Sequence, residues 1–224
     1  MSDLSDTVVV FDLDDTLYPE EAYVRSGIAA VCGAVQAAFG RDLTAQALAT
    51  WDEDRDDWLK TLCDHLPPSE RLKSALLWSY RTHAPDIALT LEMQSLLTVI
   101  QASAGGCAIL TDGRSLTQRL KLAALGLAHL PVYVSDEYGG RSKPDPARFE
   151  AVMNAHPAVH YIYVGDNPAK DFVAPNRLGW QTIGVRFWNR AIHSRWVTLP
   201  EGSSPLHWVE TPSDLLKLLT SSAA

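Results

Sequence analysis

Hydrophobic positions fall into two regimes along the chain. Thr7-Val8-Val9-Val10-Phe11 is a continuous apolar, β-branched run, the pattern of a strand buried on both faces of a parallel sheet. It ends abruptly in Asp12-Leu13-Asp14-Asp15-Thr16. From about Glu20 to about Thr90 the apolar residues recur every three or four positions and strand signals vanish. Val24, Ile28, Val31 and Val35 predict an amphipathic helix that stops at Gly40. Thr44 caps a second helix running through Leu48, Trp51, Trp58 and Leu62. Pro67-Pro68 breaks the chain, and Ser69-Glu70 opens a third helix with Leu72, Leu76, Leu77 and Tyr80. Trp51, Trp58, Trp78 and Tyr80 share this spacing and read as the core of the helical block.

After Thr90 the two periods alternate. Leu91–Gln101 is helical, Cys107–Thr111 a short strand, and Leu116–Leu125 a helix stopped by Gly126. Val132–Ser135 is a strand, and Asp145-Pro146 starts a helix with a capping Asp and a first-turn proline. Tyr161–Val164 is a strand, followed by a short helix near Ala169–Leu178. Thr182–Val185 and His207–Val209 are strands, and Asp214–Leu219 is a closing helix. Strand–helix alternation predicts an α/β fold, a doubly wound parallel sheet with helices on both faces. Residues 1–18 and 91–224 form this core, and 19–90 form a small inserted helical domain. The stretch 186–205 is less regular; Trp188, His193 and Trp196 within it are expected to pack on the sheet.

Composition narrows the function. The 224 residues are 46% hydrophobic and 21% charged, which suits a globular chain. Nineteen Lys and Arg against 27 Asp and Glu give a net charge of −8, and no basic cluster stands out, so nucleic acid is not an expected partner. Cys32, Cys63 and Cys107 are too widely spaced for a zinc site or a disulfide framework and read as small core residues. No leader-like segment or membrane span is expected, which places the protein in the cytoplasm as a monomer or homodimer. The run of acidic residues from Asp52 to Asp57 reads as a solvated helix face.

The chemistry is expected where a doubly wound sheet binds ligands, beyond the carboxyl ends of its strands. There the first strand delivers Asp12, Asp14 and Asp15. The second delivers Thr111, Asp112 and Gly113, and a glycine-rich loop after the third brings Lys143. The fourth delivers Asp166 and Asn167, with Asp171 a turn later. Crowded carboxylates repel and call for a cation, and hard oxygen ligands suit Mg²⁺. One carboxylate can attack phosphorus, and a second, two residues on, can protonate the leaving oxygen and then activate water. Asp15 reads as a solvated or capping residue, and Asp145 as a helix cap.

Asp12-Leu13-Asp14-Asp15-Thr16, Thr111, Lys143-Pro144 and Gly165-Asp166-Asn167-Pro168-Ala169-Lys170-Asp171 resemble, in order, the four motifs of the haloacid dehalogenase-like hydrolases. The resemblance covers about residues 6–20 and 95–190. It implies a Rossmann-like core, and the block between the first two motifs matches a C1-type cap, which would shield the site from water. It also implies that Asp12 is the nucleophile and a metal ligand. Asp14 would be the acid/base, with its carbonyl on Mg²⁺. Asp166 and Asp171 would complete the metal shell, while Thr111, Asp112, Gly113 and Lys143 would contact the phosphoryl group. The motif Thr111-Asp112-Gly113 departs from the commoner Asn after the hydroxyl residue, so Asp112 either turns away or meets a substrate hydroxyl. Dehalogenases of this family lack the acid found here at Asp14, which favours phosphate esters.

The expected activity is therefore a Mg²⁺-dependent phosphatase acting on a small phosphorylated metabolite through an aspartyl-phosphate. A phosphomutase would use the same residues, and a non-catalytic binding protein on this fold would be expected to have lost one of them. Tyr18, Tyr23, Arg25 and Arg114 are candidates for substrate contact.

Overall fold

A computed structural model describes residues 4–55, 57–188 and 201–221. His193, Trp196 and Asp56 therefore lie outside the described residues. The described chain divides into two compact units, one comprising residues up to Glu20 with those from Ala88 onward, the other Glu21–Ile87.

In the first unit six strands form one parallel sheet. They are β1 (Thr7–Phe11), β2 (Gly106–Thr111), β3 (Val132–Val134), β4 (His160–Gly165), β5 (Gln181–Val185) and β6 (His207–Val209), in the order β3-β2-β1-β4-β5-β6. The five residues of β1 are all buried, as an unbroken apolar run requires of a central strand. The register pairs Val9 with Cys107 on one side and with Ile162 on the other. Asp12 extends the β1–β4 ladder by one bond, its N–H donating to the Val164 carbonyl at 2.9 Å. The winding direction reverses between β1 and β4. That switch point opens a crevice at the carboxyl ends of the strands.

Alternation along each strand makes two cores. Val8, Val10, Leu110 and Tyr163 pack with Phe149 and Val152 of the helix Ala147–Ala155 and with Phe172 and Trp180. The helices Leu91–Ser103 and Pro212–Ser221 pack together away from that cluster, burying Leu96, Ile100, Leu215 and Leu219. Gly184 lets Trp208 lie against β5, since a Cβ there would fall 2.5 Å from the indole. Trp188 meets Phe187 edge-on.

The second unit is helical. It contains Glu20–Phe39 (with Glu20 itself counted in the first unit), Thr44–Glu53, Trp58–Asp64 and Glu70–Thr82. The single helix expected through Trp51 and Trp58 is thus two helices, because the charged run between them carries no apolar period to continue the first. Thr44 is not the cap either: Asp42 accepts its N–H at 3.0 Å. Ser69 does cap, accepting from the Leu72 N–H. Trp51 and Trp58 are buried and Tyr80 packs on Trp58 at 5.1 Å, but Trp78 is 59% exposed, a correction to its expected place in the core. Glu20–Phe39 is long and apolar enough to cross a membrane, with mean hydropathy 1.2. Its buried residues Val24, Ile28, Val31 and Val35 fall on one face, the pattern of an amphipathic helix. All three cysteines are free; Cys32 is buried, while Cys63 and Cys107 are only half-buried.

Candidate active site

The strand ends bring the acidic residues together. Carboxylate oxygens of Asp12, Asp166 and Asp171 lie within 4.8 Å of one another, all three residues buried. Lys143 inserts among them, its ammonium 2.9 Å from Asp12 Oδ1 and 2.6 Å from Asp171 Oδ1, with no exposed side-chain surface. It also donates to the Tyr163 hydroxyl at 3.0 Å. The loop that delivers it turns through Gly139 and Gly140, both at positive φ (68° and 74°). Its end is fixed by the Lys143 N–H, which donates to Asp112 Oδ1 at 3.1 Å.

Asp171 accepts the Asn167 N–H at Oδ2 (2.8 Å) as well as Lys143 at Oδ1. Both of its oxygens are therefore engaged by protein donors, and it anchors the lysine and the β4 loop at once. Gly165 makes room for it: a Cβ there would lie 2.6 Å from Asp171 Oδ2.

Asp112 is tied to Arg148, a fully buried guanidinium that also donates to the Thr111 carbonyl at 2.7 Å. Lys170 stands 3.5 Å from its other oxygen. These cations neutralise the carboxylate that departs from the commoner motif. Gly113 is at φ 137°, and its N–H donates to Ser135 Oγ at 2.9 Å. That donor is engaged within the fold.

Asp14 lines the same cleft as Asp12. Lys121 Nζ donates to its Oδ1 at 2.7 Å, Tyr18 OH donates to the same oxygen, and Gln118 Nε2 donates to Oδ2 at 2.9 Å. Gln118 also reaches Thr111 Oγ1 at 2.6 Å. Asp15 is buried at φ 52° and caps rather than meets solvent, its Oδ1 accepting the Glu20 N–H at 2.8 Å. Asp12, Asp14, Thr111, Asp112 and Asp166 line one cleft together with Glu20 and Lys170.

Burial and crowding order the titrations. Burial pushes Asp12 to about 6, with Lys143 holding it down and Asp171 pushing it further up. Burial, then Asp171 and Asp12, push Asp166 to about 9. Burial and Asp14 push Glu20 to about 8. Burial would raise Asp14 too, but Lys121 and the Tyr18 and Gln118 hydrogen bonds outweigh it and hold the carboxyl below its ordinary value. Burial disfavours charged Lys143, yet Asp12 and Asp171 outweigh it and hold the ammonium firmly charged. A buried carboxylate group with one cation for three acids is an environment that a divalent ion relieves, and its all-oxygen donor set fits Mg²⁺.

Glu20, Gln118, Lys121, Arg148 and Tyr163 also belong to this site, with no motif to mark them in the sequence, as does Lys170 within the fourth motif. Of the further candidates, Tyr18 does join the site, through Asp14. Arg25 instead pairs with Glu21 and Asp52, and Tyr23 packs among Tyr80 and His83. Arg114 is exposed and does not line the cleft.

Residues 9–185 match the family described as haloacid dehalogenase-like hydrolase. The chain is 29% identical, over 80% of its length and 83% of the relative's, to a glyceraldehyde 3-phosphate phosphatase of Methanopyrus kandleri. In fold it is similar to the HAD-hydrolase YfnB of Bacillus subtilis, solved bound to magnesium, with TM-score 0.65 and 19% identity, covering 95% of this chain and 97% of that one. It is similar also to a 2-haloacid dehalogenase of Pseudomonas syringae, with TM-score 0.61 and 20% identity, covering 95% and 97%. The motifs, the parallel sheet with its switch point and the match over most of the chain agree: this protein belongs to the haloacid dehalogenase-like hydrolases.

Proposed function

We propose that the protein is a Mg²⁺-dependent phosphatase of a small phosphorylated metabolite. The observation that carries this reading is Asp14. A second carboxylate stands in the same cleft as Asp12, held in place by three side-chain donors. Displacement of halide needs no proton delivered to the leaving group, whereas an alkoxide leaving from phosphorus does. The phosphatase relative from Methanopyrus kandleri supports the same choice.

Asp12 attacks phosphorus, forming the acyl–phosphate bond as the ester P–O bond breaks. Asp14, protonated once the negative charge of the bound ester offsets its cationic neighbour, gives that proton to the departing oxygen, then takes one from the water that hydrolyses the aspartyl-phosphate. Lys143, paired behind Asp12, and the Thr111 hydroxyl would stabilise the charge on the phosphoryl oxygens. Asp12, Asp166 and the Asp14 carbonyl would hold Mg²⁺, with Asp171 in support behind Lys143. The ion supplies further neutralisation of the phosphoryl charge.

The test is phosphate release from a panel of phosphorylated metabolites and p-nitrophenyl phosphate, with and without Mg²⁺, on wild type and Asp12→Asn. Mg²⁺-dependent release that is lost in Asp12→Asn is the expected result, and the best ester names the substrate. Chloride release from a 2-chloro acid with no phosphate release from any ester would overturn the reading. Recovery of an isomeric phosphate would point to a mutase.

A further inference from the structure

The helix Ser115–Ala124 buries three side chains, and two of them are polar: Gln118 and Lys121, with Leu122 the third. A lysine whose side chain is 4% exposed carries a desolvation cost that a leucine at the same position would not. Packing this helix on the sheet therefore does not call for it. Its ammonium ends 2.7 Å from Asp14 Oδ1 and 4.0 Å from Glu20. Gln118, one turn earlier, donates to Asp14 Oδ2, to Thr111 Oγ1 and to the Asp112 carbonyl at 2.9, 2.6 and 2.9 Å. Room for that amide is left by Gly113, where a Cβ would stand 3.2 Å from the Gln118 side chain.

The geometry points to Lys121 and Gln118 as positioning residues for the acid/base, an inference that rests on the phosphatase reading. A free carboxylate rotates about its last bond. Asp14 is gripped at both oxygens from one helix, with Tyr18 as a second donor to Oδ1, which leaves one lone pair, on Oδ2, for proton transfer. Gln118 additionally fixes the spacing between Asp14 and Thr111, the groups that would address the leaving oxygen and the phosphoryl group. Neither side chain is hydrogen-bonded to Asp12; Lys121 acts on the acid/base alone, whereas Gln118 also holds Thr111.

This separation of steps gives a signature. With p-nitrophenyl phosphate the leaving group departs without a proton, so the first step needs no acid from Asp14, and the second needs Asp14 as base. In Lys121→Met, steady-state turnover of p-nitrophenyl phosphate is expected to fall about 10- to 100-fold, within the range of general acid–base contributions. Acid-quenched phosphoenzyme should at the same time rise above the wild-type level. With glycerol phosphate, whose alkoxide must be protonated, the same variant should lose turnover without accumulating phosphoenzyme. Lys121→Arg should recover turnover in part, and Gln118→Met, which also releases Thr111, should lose turnover with a smaller rise in phosphoenzyme. Should Lys121→Met not fold, the phosphoenzyme level is read from Gln118→Met.

Turnover within about twofold of wild type in both Met variants would overturn the inference. So would equal loss of turnover and phosphoenzyme with p-nitrophenyl phosphate, the mark of a collapsed site. A wild-type protein that forms neither phosphoenzyme nor phosphate from any ester overturns the phosphatase reading itself, and this inference with it.

Discussion

Lys143→Met removes the ammonium that stands between Asp12 and Asp171 and leaves three mutually close, buried carboxylates. The two ion pairs have no exposed lysine surface and at most 7% exposed carboxylate. They therefore belong with buried pairs, where loss of one partner costs about 3–5 kcal/mol. For a chain of this size each kcal/mol lowers the melting temperature by about 2–4 °C, so a drop of about 6–20 °C is expected without Mg²⁺. The sign of its pH dependence follows from the acids. Asp12 at about 6 and Asp166 at about 9 have folded values raised above their ordinary range. Such groups leave stability intact at low pH and erode it as pH rises through the folded value. Without the lysine they rise further, so the deficit of the variant should be smaller at pH 5.5 than at pH 8. Lys143→Met/Asp171→Asn should lose less than the two single variants summed, by about 1–3 kcal/mol, because both partners of one pair are gone. Melts by circular dichroism at the two pH values, without metal, check this. A deficit that is independent of pH and additive with Asp171→Asn would refute the charge argument and reduce Lys143 to a packing role.

Added Mg²⁺ should raise the melting temperature more at pH 8 than at pH 5.5, since Asp12 and Asp166 must shed protons to bind it, and proton release during calorimetric titration would check the coupling. Gly165→Ala places a methyl 2.6 Å from Asp171 Oδ2 and should lower stability by about 1–3 kcal/mol together with activity, measured by urea melts and phosphate release. Arg148→Met leaves Asp112 without its buried partner and should destabilise by about 3–5 kcal/mol, whereas Arg148→Met/Asp112→Asn should recover part of that in the same melts.

Most of the fold was legible because its cues are local. The β1 run, Gly40 and Gly126 at positive φ, and the Ser69 cap all act within a few residues, and the structure has them where the pattern predicts. The helical block is where the pattern misled. A three-to-four residue period bridges Trp51 and Trp58 on paper, yet the described residues of the charged run between them supply no buried side chain to hold a turn, and two helices result. Trp78 shares the period of Leu76 and Tyr80 but projects to solvent, because spacing identifies a face and not how much of it is covered.

The acids of the site were legible for a different reason. Asp12 and Asp166 each follow a strand of a parallel sheet and Thr111 ends one, so the topology alone carries them to one edge. Gln118, Lys121 and Arg148 follow no strand. They sit in helices, where a polar residue is ordinarily read as facing water, and nothing within a few positions marks them as buried. The carboxylates they hold, Asp14 and Asp112, are 36 to 107 residues away in sequence. What fixes them is the charge the strand ends concentrate. Carboxylates buried at a switch point must draw in donors from whatever helices border the crevice, and those helices give up apolar packing to supply them. The residues that hold a site of this kind are thus to be sought among the buried polar positions of the flanking helices, and Gly113 and Gly165 mark two places where the backbone has yielded the space.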